Sequence, residues 1–335
     1  MMKDKLITLL KIVISVGLMG YLLYRFLSDP ADRALLLDTL TTANYWYLIL
    51  AVAFFVLAIF TNALKWFILL RAQGVPVPLK SLVNYTFVGF FFNNFLPANV
   101  GGDVMRGFGV AKHTEHSADA AVSVVVDRII GLMAFMFTAV VAAFTAVYLV
   151  RNGLGANLLA ADESLVDNLT QVEWLAIGGM VIIAGTFLVM LSGRLRRLIG
   201  KLFELPVLKI FAPIYARLSE AFGAYRHAYS ALLTAFAVGV GTVVLTGLVD
   251  LSIVAGLHGS IPPLYIFLFN PIIAVLLIIP ISIGGLGTGS LLYVYFYGLV
   301  GVPQTLAFAL SLIKQAVVYV GSMPGGILWL RKNRT

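Results

Sequence analysis

Asp103 and Arg106 stand three residues apart, immediately after Gly101-Gly102. On a helix that spacing puts a carboxylate and a guanidinium on one face. A helix restarting at the double glycine would also turn its unpaired amides, and the positive end of its dipole, toward the same place. Glycine lets a backbone approach a phosphate closely. In this reading Arg106 holds a phosphate, and Asp103 orients it or meets an amine on the same ligand. The competing reading is an internal Asp103–Arg106 pair that only fixes the chain. Asn94, just upstream, is a further candidate ligand. Asp127 and Arg128 are neighbours in sequence, so on a helix they diverge by about 100° and each should face a different element. Lys314, followed by Gln315, is expected to face a cavity. Asp250 is read either as the partner of a basic residue or as a proton-coupling group. Lys65 lies near a helix end and is expected to snorkel toward it. Ser282 and the run Gly284-Gly285-Leu286-Gly287 offer a second set of accessible amides, or else a surface for tight helix packing.

Other chemistries have weaker support. His113-Thr114-Glu115-His116 spaces its imidazoles at i, i+3, not the i, i+4 of the zinc helix, and reads as a solvated end. Cysteine is absent, which removes thiolate ligands and nucleophiles. No Ser-His-Asp set falls on facing elements. No metal and no cofactor is expected.

These residues are set in a chain of 335 residues that is 61% hydrophobic and 11% charged. Ordinary globular domains are roughly 45–50% apolar and about 25% charged. The composition excludes a soluble enzyme, a nucleic-acid module and a disordered chain. It implies an all-α polytopic membrane protein occupying 1–335 as one domain. A spanning helix needs about 20 apolar residues. Stretches 6–27, 45–70, 118–150, 172–192, 229–257 and 304–330 qualify, the last despite Pro324-Gly325-Gly326. The first is expected to be a retained helix, since Ser28-Asp29-Pro30 offers no small-residue cleavage site.

Two apolar regions are interrupted: 82–113 by Pro97 and Gly101-Gly102, and 264–301 by Pro280 and Gly284-Gly285. Loop charge decides how often they cross. Segment 28–44 has Asp29, Asp32 and Asp38 against Arg33; segment 151–173 has Asp162, Glu163, Asp167 and Glu173 against Arg151. Both should lie outside. Segment 194–227 carries Arg194, Arg196, Arg197, Lys201, Lys209, Arg217 and Arg226 against Glu204 and Glu220, and should be cytoplasmic. It reads as amphipathic helices on an anionic surface. With both termini cytoplasmic, each interrupted region must cross an even number of times. Two crossings would drag Asp103 and Arg106 through lipid. Two re-entrant hairpins, dipping from opposite sides, avoid this. Interrupted segments at matching places in two halves point to a transport site.

The first break reads Asn93-Asn94-Phe95-Leu96-Pro97-Ala98-Asn99-Val100-Gly101-Gly102-Asp103-Val104-Met105-Arg106. It is followed by Asp127-Arg128-Ile129-Ile130-Gly131 and then by Pro280-Ile281-Ser282-Ile283-Gly284-Gly285-Leu286-Gly287. As a set these resemble the flippase-like membrane domain of the bacterial lysylphosphatidylglycerol synthase/flippase. The resemblance covers about residues 10–330. It departs where that family usually carries an Arg-Glu pair, here Gly289-Ser290, so no role is transferred to that glutamate. The synthase carries a soluble transferase domain after its membrane part; none is expected here, so the resemblance does not imply lipid aminoacylation.

The resemblance implies a carrier in the plasma (bacterial inner) membrane that moves a polar-headed lipid, a phospholipid or polyprenyl-linked lipid, between leaflets. Four intramembrane cations (Lys65, Arg106, Arg128, Lys314) against three carboxylates (Asp103, Asp127, Asp250) suit a phosphate-bearing head. The alternatives are a lipid-modifying enzyme, a non-catalytic partner of a lipid-synthesis enzyme, and a solute transporter.

Overall fold

The computed structural model describes residues 2–96, 101–114, 117–152, 163–202, 212–223 and 225–332. Pro97, Glu115, His116 and Asp162 lie outside the described residues, as do Glu204, Pro206 and Lys209. The described chain is all-helical, with no β-strand. Its helices are α1 (Met2–Ser28), α2 (Pro30–Thr41), α3 (Tyr45–Ala72), α4 (Leu79–Asn93), α5 (Gly101–Ala111) and α6 (Ser117–Arg151). They continue with α7 (Glu163–Leu191), α8 (Gly193–Leu202), α9 (Ala212–Gly223), α10 (Tyr229–Gly256), α11 (Pro263–Leu276), α12 (Thr288–Gly298) and α13 (Gln304–Lys332).

Six segments, in α1, α3, α6, α7, α10 and α13, are 21 to 33 residues long and apolar enough to cross a membrane. At about 1.5 Å per residue even the shortest reaches the ~30 Å of a hydrocarbon core. They match the six stretches marked by hydropathy. Boundaries follow local chemistry. Asp29 caps α2 by accepting from the Ala31 and Asp32 amides, with Pro30 at the first helical position. Asn44 caps α3 through the Trp46 amide. On α7, Val181, Ile182 and Leu188 are exposed, as befits a face turned to lipid. On α8, Leu195 and Leu198 are exposed beside Arg194 and Lys201, the mixture expected of a helix lying on a membrane surface.

α4 with α5, and α11 with α12, form two helical hairpins. Their helices are 15, 11, 14 and 11 residues long, about half to three-quarters of what a span requires. Each hairpin tip reaches the middle of a long helix. At the first, the Asn94 side-chain amide donates to Ser322 Oγ at 2.8 Å, and Phe95 stacks on Tyr319. At the second, the Ile283 amide donates to Ser15 Oγ at 2.8 Å, and Gly287 lies against Ser15 and Met19. The tips also meet one another. Gly284 has a positive φ, and a Cβ there would come within 2.8 Å of the Asn94 carbonyl oxygen.

The glycines of the first hairpin serve close packing. The Gly102 amide donates to Asn93 Oδ1 at 2.8 Å, and Gly102 sits against the Gly89 carbonyl. The Gly102 amide, one of those expected to meet a phosphate, is thus taken by Asn93, and Gly101 packs on Leu96. Pro324-Gly325-Gly326 does not break α13, which runs through it. Gly325 instead admits the backbone of α4 at Phe87 and Val88, and Gly326 admits the Phe91 ring. Because a Cβ at 325 would collide with backbone, Gly325→Ala should cost about 1–3 kcal/mol by overpacking. A thermal midpoint in detergent equal to that of the parent protein would contradict this packing role.

Candidate functional site

Two clusters of ionisable groups lie inside the bundle, each joining one hairpin to long helices. The first is a chain of five. α3 supplies Lys65, α5 supplies Asp103 and Arg106, and α6 supplies Asp127 and Arg128. Lys65 Nζ lies 3.3 Å from Asp127 Oδ1 and donates to the Asp127 carbonyl at 3.1 Å. Arg106 donates to Asp127 Oδ2 at 2.7 Å and to Asp103 Oδ1 at 3.3 Å. Arg128 Nε donates to Asp103 Oδ2 at 2.6 Å. The Arg106 guanidinium also stacks on Trp66, 4.2 Å from the ring centroid, a cation–π contact strengthened by burial. Trp66 is held in turn by its Nε1 donating to Ser123 Oγ at 3.1 Å.

Asp127 and Arg128 do diverge, one toward Lys65 and Arg106, the other toward Asp103. Lys65 does not snorkel. It is 4% exposed, drawn inward by Asp127 across 62 residues of sequence. A buried carboxylate flanked by two cations binds the ammonium more strongly than a distant interface can. The Asp103–Arg106 pair expected at i, i+3 exists but is one link in a longer network.

The second cluster joins α10, the second hairpin and α13. Lys314 Nζ donates to Asp250 Oδ2 and to Asn270 Oδ1, each at 2.9 Å, and to Tyr293 Oη. Tyr293 Oη donates to Asp250 Oδ2 at 3.0 Å. Asp250 is thus the partner of a basic residue. Sequence reasoning does not single out Asn270, and it assigns the aromatic run Tyr293–Tyr297 to a membrane interface, whereas Tyr293 is buried against Asp250 and Lys314. The available signal was a lone amide, with an aromatic hydroxyl, inside an apolar run.

Between the clusters lies a cavity of about 350 Å³, lined by residues of both. Asn94, Asp103, Arg106, Asp127, Arg128 and Lys314 line it, as do Gly284 and Gly285. Asp250 lies behind Lys314. Ser282, buried beside the second tip, does not line it, nor do Gly101, Gly102 and Gly287; Pro280 is exposed on the tip itself. Gly289 and Ser290, where the flippase-like pattern usually has Arg-Glu, line the cavity. The geometry is that of a partly open cavity walled largely by apolar side chains such as Phe55, Phe90, Phe135 and Leu277, with charged groups, cations in surplus, set into its lining. It can bind an anionic group and reach it from two hairpins.

Residues 8–325 match the lysylphosphatidylglycerol synthase TM region. The chain belongs to that family. Among curated relatives of this TM-region family member, a UPF0104 membrane protein of Pyrococcus horikoshii is 24% identical over 304 residues, 87% of this chain and 88% of its own length. A UPF0104 membrane protein of Methanothermobacter thermautotrophicus is 35% identical over 107 residues, 31% of each chain. No solved structure matches. Membership of the TM-region family, together with six apolar helices, makes this an integral membrane protein of a lipid-related group.

Proposed function

We propose that this protein carries the phosphate-bearing head of an anionic lipid between membrane leaflets, acting as a carrier rather than an enzyme. The observation behind this reading is one cavity that borders both hairpins and both charged clusters. Its ~350 Å³ lies at the small end of ligand pockets, which run from about 300 to 1,000 Å³. That suits a head group whose acyl tails remain in lipid. Short hairpins whose tips meet at mid-bundle suit alternating access, each half-chamber opening to one leaflet. On this reading the hairpins are re-entrant and dip from opposite faces of the plasma membrane, with both termini cytoplasmic, as the loop charges suggest.

The test is leaflet exchange in liposomes. Labelled anionic lipid should redistribute at least tenfold faster with the protein than in empty vesicles. Exchange at the empty-vesicle rate across anionic and zwitterionic lipids would remove the carrier reading. Chemical alteration of the lipid would replace it with an enzyme.

Topology has its own check, clean because the chain has no native cysteine. A label at Lys112→Cys should react only from the cytoplasm and one at Asp38→Cys only from outside. At Phe95→Cys, on the first tip, membrane-impermeant reagent should react far more slowly than at either. Fast reaction of Phe95→Cys from one side alone would mean that the hairpin does not enter the membrane.

A further inference from the structure

The partners of the buried charges narrow the kind of head group, given the carrier reading above. Every carboxylate oxygen of both clusters already has a cation. Asp103 Oδ1 and Oδ2 face Arg106 at 3.3 Å and Arg128 at 2.6 Å. Asp127 Oδ1 and Oδ2 face Lys65 at 3.3 Å and Arg106 at 2.7 Å. Lys314 covers both oxygens of Asp250, each at 2.9 Å. Asp127 Oδ1 and Asp250 Oδ1 accept no hydrogen bond, yet each lies against an ammonium, that of Lys65 and that of Lys314. Arg106 Nε and Asn270 Nδ2 are buried donors without a hydrogen-bond partner, and both residues line the cavity. Asn270 is 4% exposed, so bulk water does not satisfy it. A buried donor left unmade is costly, and an acceptor on the cargo would satisfy it. An ammonium on the cargo would face four cations, and every carboxylate of the two clusters is already paired with one of them, so its desolvation would be poorly offset. The rest of the polar lining, including Asn62, Gln315 and Ser290, consists of neutral amides and hydroxyls. These groups donate and accept equally and match hydroxyls on a ligand.

We infer that the cargo is an anionic phosphate ester whose head carries hydroxyls and no amine. The chamber discriminates against aminated heads by charge. Phosphatidylglycerol and a polyprenyl phosphate hexose share this chemistry. Phosphatidylethanolamine and lysyl-phosphatidylglycerol do not.

The experiment is competition against fluorescent phosphatidylglycerol bound to the purified protein in nanodiscs, with leaflet exchange of the same lipids measured in parallel. Phosphatidylglycerol should compete at least tenfold better than phosphatidylethanolamine or lysyl-phosphatidylglycerol. A polyprenyl phosphate hexose that competes better than phosphatidylglycerol marks a polyprenyl cargo, and a weaker one marks a glycerolipid. Both results support the inference. Lys314→Gln removes the cation that covers Asp250 and should narrow the preference over lysyl-phosphatidylglycerol at least fivefold. Asn270→Asp, nearly isosteric, should narrow it in the same direction and serves where Lys314→Gln fails to fold. Equal competition by the aminated lipids, absence of phosphatidylglycerol binding, or an unchanged preference in a folded variant would overturn the inference. Selective binding without leaflet exchange would defeat the carrier reading alone. Exchange that favours aminated lipids would do the reverse.

Discussion

Asp127→Asn should lower the stability of the detergent-solubilised protein by about 3–5 kcal/mol, the range seen when one partner of a buried ion pair is removed. Asp127 is 1% exposed and is contacted by both Lys65 and Arg106. Without its charge, two buried cations on α3 and α5 face one another across a neutral amide. Asp103→Asn is the informative comparison. Its side chain is 17% exposed, and about a third of its partner Arg128 is exposed, so water can take over part of the solvation and the loss should be smaller. Restoring the charge count with Lys65→Met in the Asp127→Asn background should recover part of the loss. That would be a coupling of the kind a double-mutant cycle isolates. Thermal midpoints by fluorescence-detected size exclusion provide the measurement. If the two Asp→Asn variants unfold at the same temperature, the five-residue chain is not what joins the first hairpin to α3 and α6.

The second large effect concerns Arg106→Lys. The substitution keeps the charge and much of the volume, so the fold should survive. What it removes is the planar fork that reaches Asp127 and Asp103 together while stacking on Trp66. A charge-assisted hydrogen bond is worth about 1.5–3 kcal/mol, and each 1.4 kcal/mol is a factor of about ten. Leaflet exchange should therefore fall about tenfold to a hundredfold, while the size-exclusion profile stays that of the parent. Parent-like exchange in Arg106→Lys would place the head group elsewhere than against Arg106.

Much of the fold was legible because hydropathy is a local signal. Six stretches of about 20 apolar residues each become a helix, since lipid permits no other use of them. The interruptions in 82–113 and 264–301 were legible for the same reason. Parity of the charged loops turned them into hairpins, and the structure has helical hairpins there. The side-chain pairings were less accessible. Lys65 sits where an interfacial lysine would, and only its partner on α6 pulls it inward. Nothing near residue 65 encodes that partner. The glycines were ambiguous for the same reason: Gly101-Gly102 has the composition of a phosphate loop, and only the fold shows Leu96, Asn93 and Gly89 as its neighbours. Lys314 facing the second hairpin was readable from its depth in the helix. Asn270 and Tyr293 were not, because single polar residues in a long apolar run stand out only when several helices bring them to one point.

The uneven charge count has an electrical consequence. Lys65, Arg106, Arg128 and Lys314 exceed Asp103, Asp127 and Asp250 by one. A singly charged phosphodiester entering the chamber would bring the sum to zero. Transmembrane voltage acts with about 2.3 kcal/mol per elementary charge per 100 mV, and the loaded chamber would offer it no net charge. The empty chamber would still carry its one positive charge. If the protein is the lipid carrier proposed above, an inside-negative potential would leave the crossing step alone and bias the empty protein toward its cytoplasm-facing form, so that polarising the membrane would change how often it returns for its next lipid.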